Sequence, residues 1–265
     1  MIANDIPEYA VVPLQRCLES LLITRRLLTL SIDGLIAICG IPDLVQKMQK
    51  ISAALRKEKS DGIDLTRAKE DATFAKNERE QGFPYLHAYT LVSVWSSLEA
   101  AIEDMLIGIL VNEPEILAKD ELTKTKVSLA KFERLDREER MRFLLSEVQR
   151  GQNSGLAQGA DAFERVLQVF DLSGPVDKPV KDALWEMNHI RNVIVHRDSR
   201  ADLRIVQGCP WLNLKVGDRV SVTHEKYMQC ADGAVSYIEL LGNRLETRYR
   251  SAPAAQTIPT SIPTE

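Results

Sequence analysis

The segment Trp185, Glu186, Met187, Asn188, His189, Ile190, Arg191, Asn192, Val193, Ile194, Val195, His196, Arg197 sets the pattern on which the rest of the chain is laid out. It continues a helical stripe that begins near Pro179, with Val180, Ala183, Leu184, Met187, Ile190 and Ile194 recurring at helical spacing. Proline fits the first turn of such a helix, where its missing N–H costs nothing. At about 100° per residue, with Met187 at zero, the stripe spans roughly −60° to +60° and Arg191 falls inside it near +40°. Asn192 and His196 lie opposite, near about 140° and 180°, with His189 close to them. The pattern predicts a guanidinium turned toward the core on one face and a polar His/Asn row on the other.

A second helix of the same kind runs from Tyr85 to Leu110, with Leu91, Trp95, Leu98, Ile102, Leu106 and Ile109 on one face. Glu99 sits about 40° from Trp95, again inside an apolar stripe. A lone buried charge is costly, so Glu99 and Arg191 are expected to pair across two helices packed side by side.

Working outward, helices are predicted over 11–40, from Pro42 to about Lys59, over 65–80, over 137–148 and over 160–170, separated by Gly, Pro and Asn clusters. The 65–80 helix is strongly charged and has few apolar positions, so it reads as a solvated connector or arm. The 151–155 loop reads as flexible. After His196, Cys209, Pro210 and Trp211 precede an alternation of Leu212, Leu214 and Val216, then Val220 and Val222, around Gly217 and Asp218, which predicts a short β-hairpin. Thr223 caps a last helix that carries Tyr227, Ala231, Ala234, Ile238, Leu241 and Leu245 on its apolar face. The expected fold is an all-α helical bundle with a small β-hairpin insertion before the last helix. Its expected parts are an N-terminal helical region, 1–82, for packing or oligomer contacts, the bundle over 83–250, and a disordered tail over 251–265.

The 265 residues are 45% hydrophobic but only 6% aromatic, which is enough for a sizeable core and low for a β-rich protein. A net charge of −4 argues against a chain that coats nucleic acid non-specifically, so any RNA contact has to be local. Cys17, Cys39, Cys209 and Cys230 are too scattered for a zinc knuckle or a disulfide framework, and a reducing compartment fits best. The N-terminus lacks the order of a signal peptide, and the apolar segment from Val11 to Ile41 is interrupted by Arg16, Glu19, Arg25, Arg26 and Asp33. A cytoplasmic protein with no membrane association is expected. His189, Asn192 and His196 repeat at three, four and seven residues, but no carboxylate or cysteine joins them at ligand spacing, so no metal and no cofactor is expected.

The string from Arg191 through Asn192 to His196 resembles the Arg, polar residue, three residues, His signature of HEPN domains. These are helical bundles, many of them metal-independent endoribonucleases of toxin–antitoxin, abortive-infection and other defence systems. The resemblance covers about Tyr85 to Leu245. It includes the long first helix with an acidic residue, here Glu99 or Glu103, and the signature on a late helix ahead of a final one. It implies attack of an RNA 2′-hydroxyl on the adjacent phosphate to leave a 2′,3′-cyclic phosphate. Arg191 would bind that phosphate or hold the site, Asn192 would orient a neighbour, and His196 would move the proton, an imidazole being able to serve as acid or base near neutral pH. Glu99 and His189 would support them, and Arg197, Arg200 and Arg204 would supply local positive charge for RNA. In an unbroken helix Arg191 and His196 diverge by about 140°, which favours a homodimer with a composite site, the family's usual arrangement. The resemblance further implies an antitoxin or a nucleotidyltransferase as partner. The alternative it allows is a non-catalytic HEPN-type module that binds RNA, a nucleotide or a protein.

Overall fold

The computed structural model describes residues 6–55, 64–152 and 158–250, and the regular elements among them are all helical. They are α1 (Glu8–Ile38), α2 (Ile41–Ala54), α3 (Leu65–Glu80), α4 (Pro84–Asn112), α5 (Asp120–Thr123), α6 (Leu129–Phe132), α7 (Arg137–Gln152), α8 (Ala160–Val169), α9 (Lys178–His196), α10 (Leu203–Gly208) and α11 (His224–Arg250), with 3-10 turns at Pro114–Ala118 and Pro210–Leu212. Among the described residues, no single helix is long and apolar enough to cross a membrane.

The bundle is built around α4, which is apolar over most of its circumference and is covered there by other helices, while the strip Tyr89, Ser93, Ser96, Ala100 and Asp104 stays exposed. Its buried residues include Leu91, Trp95, Leu98, Ile102, Met105, Leu106 and Ile109. Against it pack α1, through Ala10, Leu14, Cys17 and Leu21, α9, through Leu184, Met187 and Ile190, and α11, through Ala234, Ile238 and Leu241, in one continuous core. The α1–α4 crossing is close because residue 108 is glycine: a β-carbon there would stand 2.3 Å from the carbonyl oxygen of Tyr9.

Two carboxylates fasten the rim of this core. Glu164 on α8 accepts hydrogen bonds from Tyr237 Oη at 2.7 Å, Arg244 Nη1 at 2.8 Å and the Gly174 amide at 2.9 Å. Glu113, just past α4, accepts from Tyr9 Oη at 3.0 Å, from Arg248 Nη2 at 2.6 Å and from Tyr249, so it ties α1 and α11 to the same helix end. Thr223 caps α11 as its position implies, its Oγ1 accepting from the Lys226 amide at 3.2 Å.

Three expectations need correction. The helix α3 is not a solvated connector: Ala68, Ala72 and Ala75 form a buried small-residue stripe that lies against α1 and α2, a pattern that counting large apolar residues misses. Gly151 and Gln152 belong to α7 rather than to a loop. The β-hairpin does not form among the described residues. The turn is present, with the Asp218 amide bonded to the Lys215 carbonyl at 3.0 Å, but the returning segment pairs backward with the residues after α9. Ala201 N donates to Asp218 O, and Val220 N to Ser199 O, each at 2.8 Å, giving one isolated antiparallel bridge between Arg200 and Arg219. The alternation of Val220 and Val222 is real, since both are buried; their backbone partner is the irregular segment after α9. Residues 56–59, 153–155 and the tail from 251 lie outside the described residues.

Candidate active site

The helices α4 and α9 run antiparallel: Arg191 faces Glu99, while Ser199, just beyond α9, lines one small cavity with Tyr85 and Ala88 near the start of α4. Arg191 Nη2 lies 3.7 Å from Glu99 Oε2, so the expected pair is present. Its setting differs from the expectation. The Glu99 side chain is 43% exposed and that of Arg191 25%, which places the pair on the rim of the core. An offset of about 40° is the edge of an apolar stripe, from which a long side chain reaches outward.

Asn192 extends the arrangement, its Oδ1 accepting from Arg191 Nη1 at 3.0 Å and its Nδ2 donating to Asn188 Oδ1 at 3.2 Å. Asn188, one turn before Asn192, was not singled out by the sequence pattern, although the i, i+4 spacing of two asparagines is the signal for it. Arg191 Nε is buried without a hydrogen-bond partner among the described residues. His196, the last residue of α9, is exposed, and its ring has no hydrogen-bond partner among the described residues.

His189 does not join that polar row. It is buried, 5% exposed, with its ring tilted against Trp185 at a centroid distance of 5.0 Å. Burial pushes its pKa down, and the Asp202 carboxylate partly offsets that. The cause is α10, which packs onto this face of α9 and is capped by Asp202, whose Oδ1 accepts from the Arg204 and Ile205 amides at 3.0 and 3.1 Å. The polar face is thereby divided, with His189 covered, Asn188 and Asn192 half-buried and His196 in solvent.

The same cover hides a carboxylate that the pattern did not flag. Glu186 is buried, and its Oε2 accepts from Trp211 Nε1 at 3.0 Å and from Lys226 Nζ at 2.9 Å. This anchors the turn at Cys209, Pro210 and Trp211 to α9 and α11. Helical spacing alone puts Glu186 on the outer face, because the covering segment is irregular.

Arg197, Arg200 and Arg204 are exposed around the end of α9. Arg197 Nε lies 3.9 Å from Asp202, and Arg200 Nη1 donates to the Gly217 carbonyl at 3.2 Å. All four cysteines are free thiols. Burial raises Cys17 to about 11 and Cys209 and Cys230 to about 12, values that keep them protonated and unreactive.

Fold and site together define an all-α helical bundle with an arginine–asparagine pair and a solvent-facing histidine in the last two turns of one core helix. No protein-family model, no curated protein and no solved structure matches the chain.

Proposed function

We propose that this protein is a HEPN-type, metal-independent endoribonuclease that works as a homodimer in a toxin–antitoxin or anti-phage defence setting. The observation that carries the reading is the contrast along one helix: Arg191 is held by Glu99 and Asn192, while the His196 imidazole, five residues on, is open to solvent. A guanidinium stays charged at all working pH and offers a planar fork to phosphate oxygens. An imidazole can take and return a proton near neutrality.

Five residues of helix separate the two groups by about 7.5 Å along the axis and about 140° around it, so one chain presents them to different directions. A two-fold pairing of the α9 ends brings two imidazoles and two guanidinium groups around one cleft. In that cleft one His196 accepts the proton of the RNA 2′-hydroxyl as the 2′-oxygen bonds to phosphorus. The bond to the 5′-oxygen breaks, and the second His196 supplies that oxygen with a proton. Arg191 neutralises the charge gathering on the phosphoryl oxygens, and Asn192 and Glu99 position Arg191. Arg197, Arg200 and Arg204 contact flanking phosphates.

One observation favours a second reading, a non-cleaving module that binds RNA, a nucleotide or a protein partner: the guanidinium of Arg191 is already engaged by Glu99 and Asn192. Incubation of the purified protein with mixed RNA in chelator, with product ends mapped, separates the two. The ribonuclease reading expects 2′,3′-cyclic phosphate ends and a loss of at least about 100-fold in His196→Ala, the usual worth of a positioned acid–base group. Cleavage that persists in the variant or vanishes with chelator overturns it, and RNA binding without any cleavage assigns the second reading.

A further inference from the structure

The first two helices carry an uncovered seam with a regularity of its own. On α1, Ile23, Leu27 and Leu30 are followed at the same alternating spacing by Gly34 and Ala37. Past the break at Cys39 and Gly40, Ile41 and Leu44 continue the count on α2, followed by Met48, Ile51 and, at the helix end, Leu55. The steps are four, three, four, three throughout, the 3.5-residue repeat of a left-handed helix–helix seam. A helix in contact only with a globular core has no need of that period. The helix α3 packs against both helices through its alanine stripe, while Ile23, Leu27, Leu30, Leu44, Met48, Ile51 and Leu55 are left 49–62% exposed.

We infer that this seam is the contact surface for a second copy of the chain, in which α1 of each copy packs antiparallel on α2 of the other about a two-fold axis at Cys39. The register is one in which paired positions sum to 78. It places Ile23 opposite Leu55, Leu27 opposite Ile51 and Leu30 opposite Met48. The small residues Gly34 and Ala37 then oppose Leu44 and Ile41, so small meets large at the centre, and a β-carbon at Gly34 has no atom within 4 Å in the free chain. Beside the seam, the register brings Asp33 on α1 near Lys47 on α2, two residues past Val45, the position directly opposite Asp33. Asp33 and Lys47 are both exposed, and neither has an ion-pair partner among the described residues. Every such pair occurs twice, as an isologous interface demands. Seven half-exposed aliphatic side chains, each worth on the order of 100 Å² of apolar surface, give roughly 700 Å² per copy. That is close to the ~800 Å² that each partner contributes to a stable interface, and more than a lone monomer usually leaves in water.

This interface does not rest on the ribonuclease reading, and its readout is mass rather than cleavage. In sedimentation equilibrium on the full chain, Leu27→Glu combined with Met48→Glu is expected to give half the mass of the wild-type assembly with an unchanged circular dichroism spectrum, both positions being exposed. Asp33→Lys and Lys47→Asp are each expected to weaken self-association on the order of tenfold, and a mixture of the two to recover it as a heterodimer, since their like charges become opposite across the two-fold. A wild-type chain that is monomeric at 100 µM-scale concentration, about the top of the useful range for a specific homodimer, overturns the inference. So does a mass that the double glutamate variant leaves unchanged, and so does a wild-type monomer that co-sediments with phosphatidylglycerol vesicles while the variant does not, which would assign the seam to a lipid surface.

Discussion

The ring of His189 lies so close to Gly208 that a β-carbon on that glycine would meet Nε2 at 2.6 Å and Cε1 at 2.7 Å. The ring cannot simply retreat, because Trp185 packs against it and Trp185 Nε1 donates to the Gly208 carbonyl at 2.9 Å. Imidazole, indole and bare backbone together clamp α10 onto α9. Gly208→Ala is therefore expected to cost about 1–3 kcal/mol, the usual penalty for adding an atom to a filled site, measured by urea denaturation. A variant with wild-type stability would show that α10 is free to lift away from α9.

The same histidine gives stability a pH dependence of known sign. Burial lowers the pKa of His189, and burial is also the largest influence lowering that of His87, against the opposing effect of the Phe83 carbonyl. A histidine whose folded pKa is depressed binds its proton more readily in the unfolded chain. The stability it helps maintain is full above the unfolded value of about 6.5 and declines as pH falls below it. The unfolding midpoint should accordingly drop between pH 7.5 and pH 5. His189→Phe keeps a ring against Trp185 while removing the unpartnered Nε2, and should flatten that slope without loss at pH 7.5. A slope unchanged in the variant would assign the dependence to other groups.

What the sequence disclosed follows from what helical periodicity can encode. The α4 and α9 stripes, and hence the meeting of Glu99 with Arg191, were legible because both residues sit at fixed angles on long regular helices. His189 was misread because its cover is α10 and the turn that follows, contacts distant in sequence and carried by irregular backbone. The failed hairpin has the same origin: alternation at Val220 and Val222 reports which side is buried, and says nothing about which strand supplies the hydrogen bonds. The alanine stripe of α3 escaped because close helix packing uses small residues that a hydrophobic count passes over.

Burial separates the ion pairs that hold the fold from the one at the site. Glu164 and Arg244 have side chains only 15% and 13% exposed, and the carboxylate also serves Tyr237 and the Gly174 amide. Glu164→Ala leaves the Tyr237 hydroxyl without its carboxylate and Arg244 with only the Leu172 and Pro175 carbonyls as acceptors, and should cost about 3 kcal/mol in chemical denaturation. A loss below about 1 kcal/mol, the scale of an exposed pair, would mean that water replaces the carboxylate freely.

The pair between Glu99 and Arg191 should behave in the opposite way, because its partners are farther apart and both reach solvent. Glu99→Gln is expected to change stability by less than about 1 kcal/mol, since an exposed pair gains little from its Coulomb attraction. Its effect should fall on the site instead. Without the carboxylate's pull, the hydrogen bond to Asn192 alone directs the Arg191 guanidinium, which then aims along α9 rather than toward α4. If the protein cleaves RNA as proposed, a guanidinium misaimed in this way loses transition-state contacts more than ground-state ones, so kcat should fall while KM stays nearly constant. Glu99→Asp, which keeps the charge on a shorter arm, should recover part of the rate, whereas an unaltered kcat in Glu99→Gln would show that Asn192 alone sets the direction of Arg191.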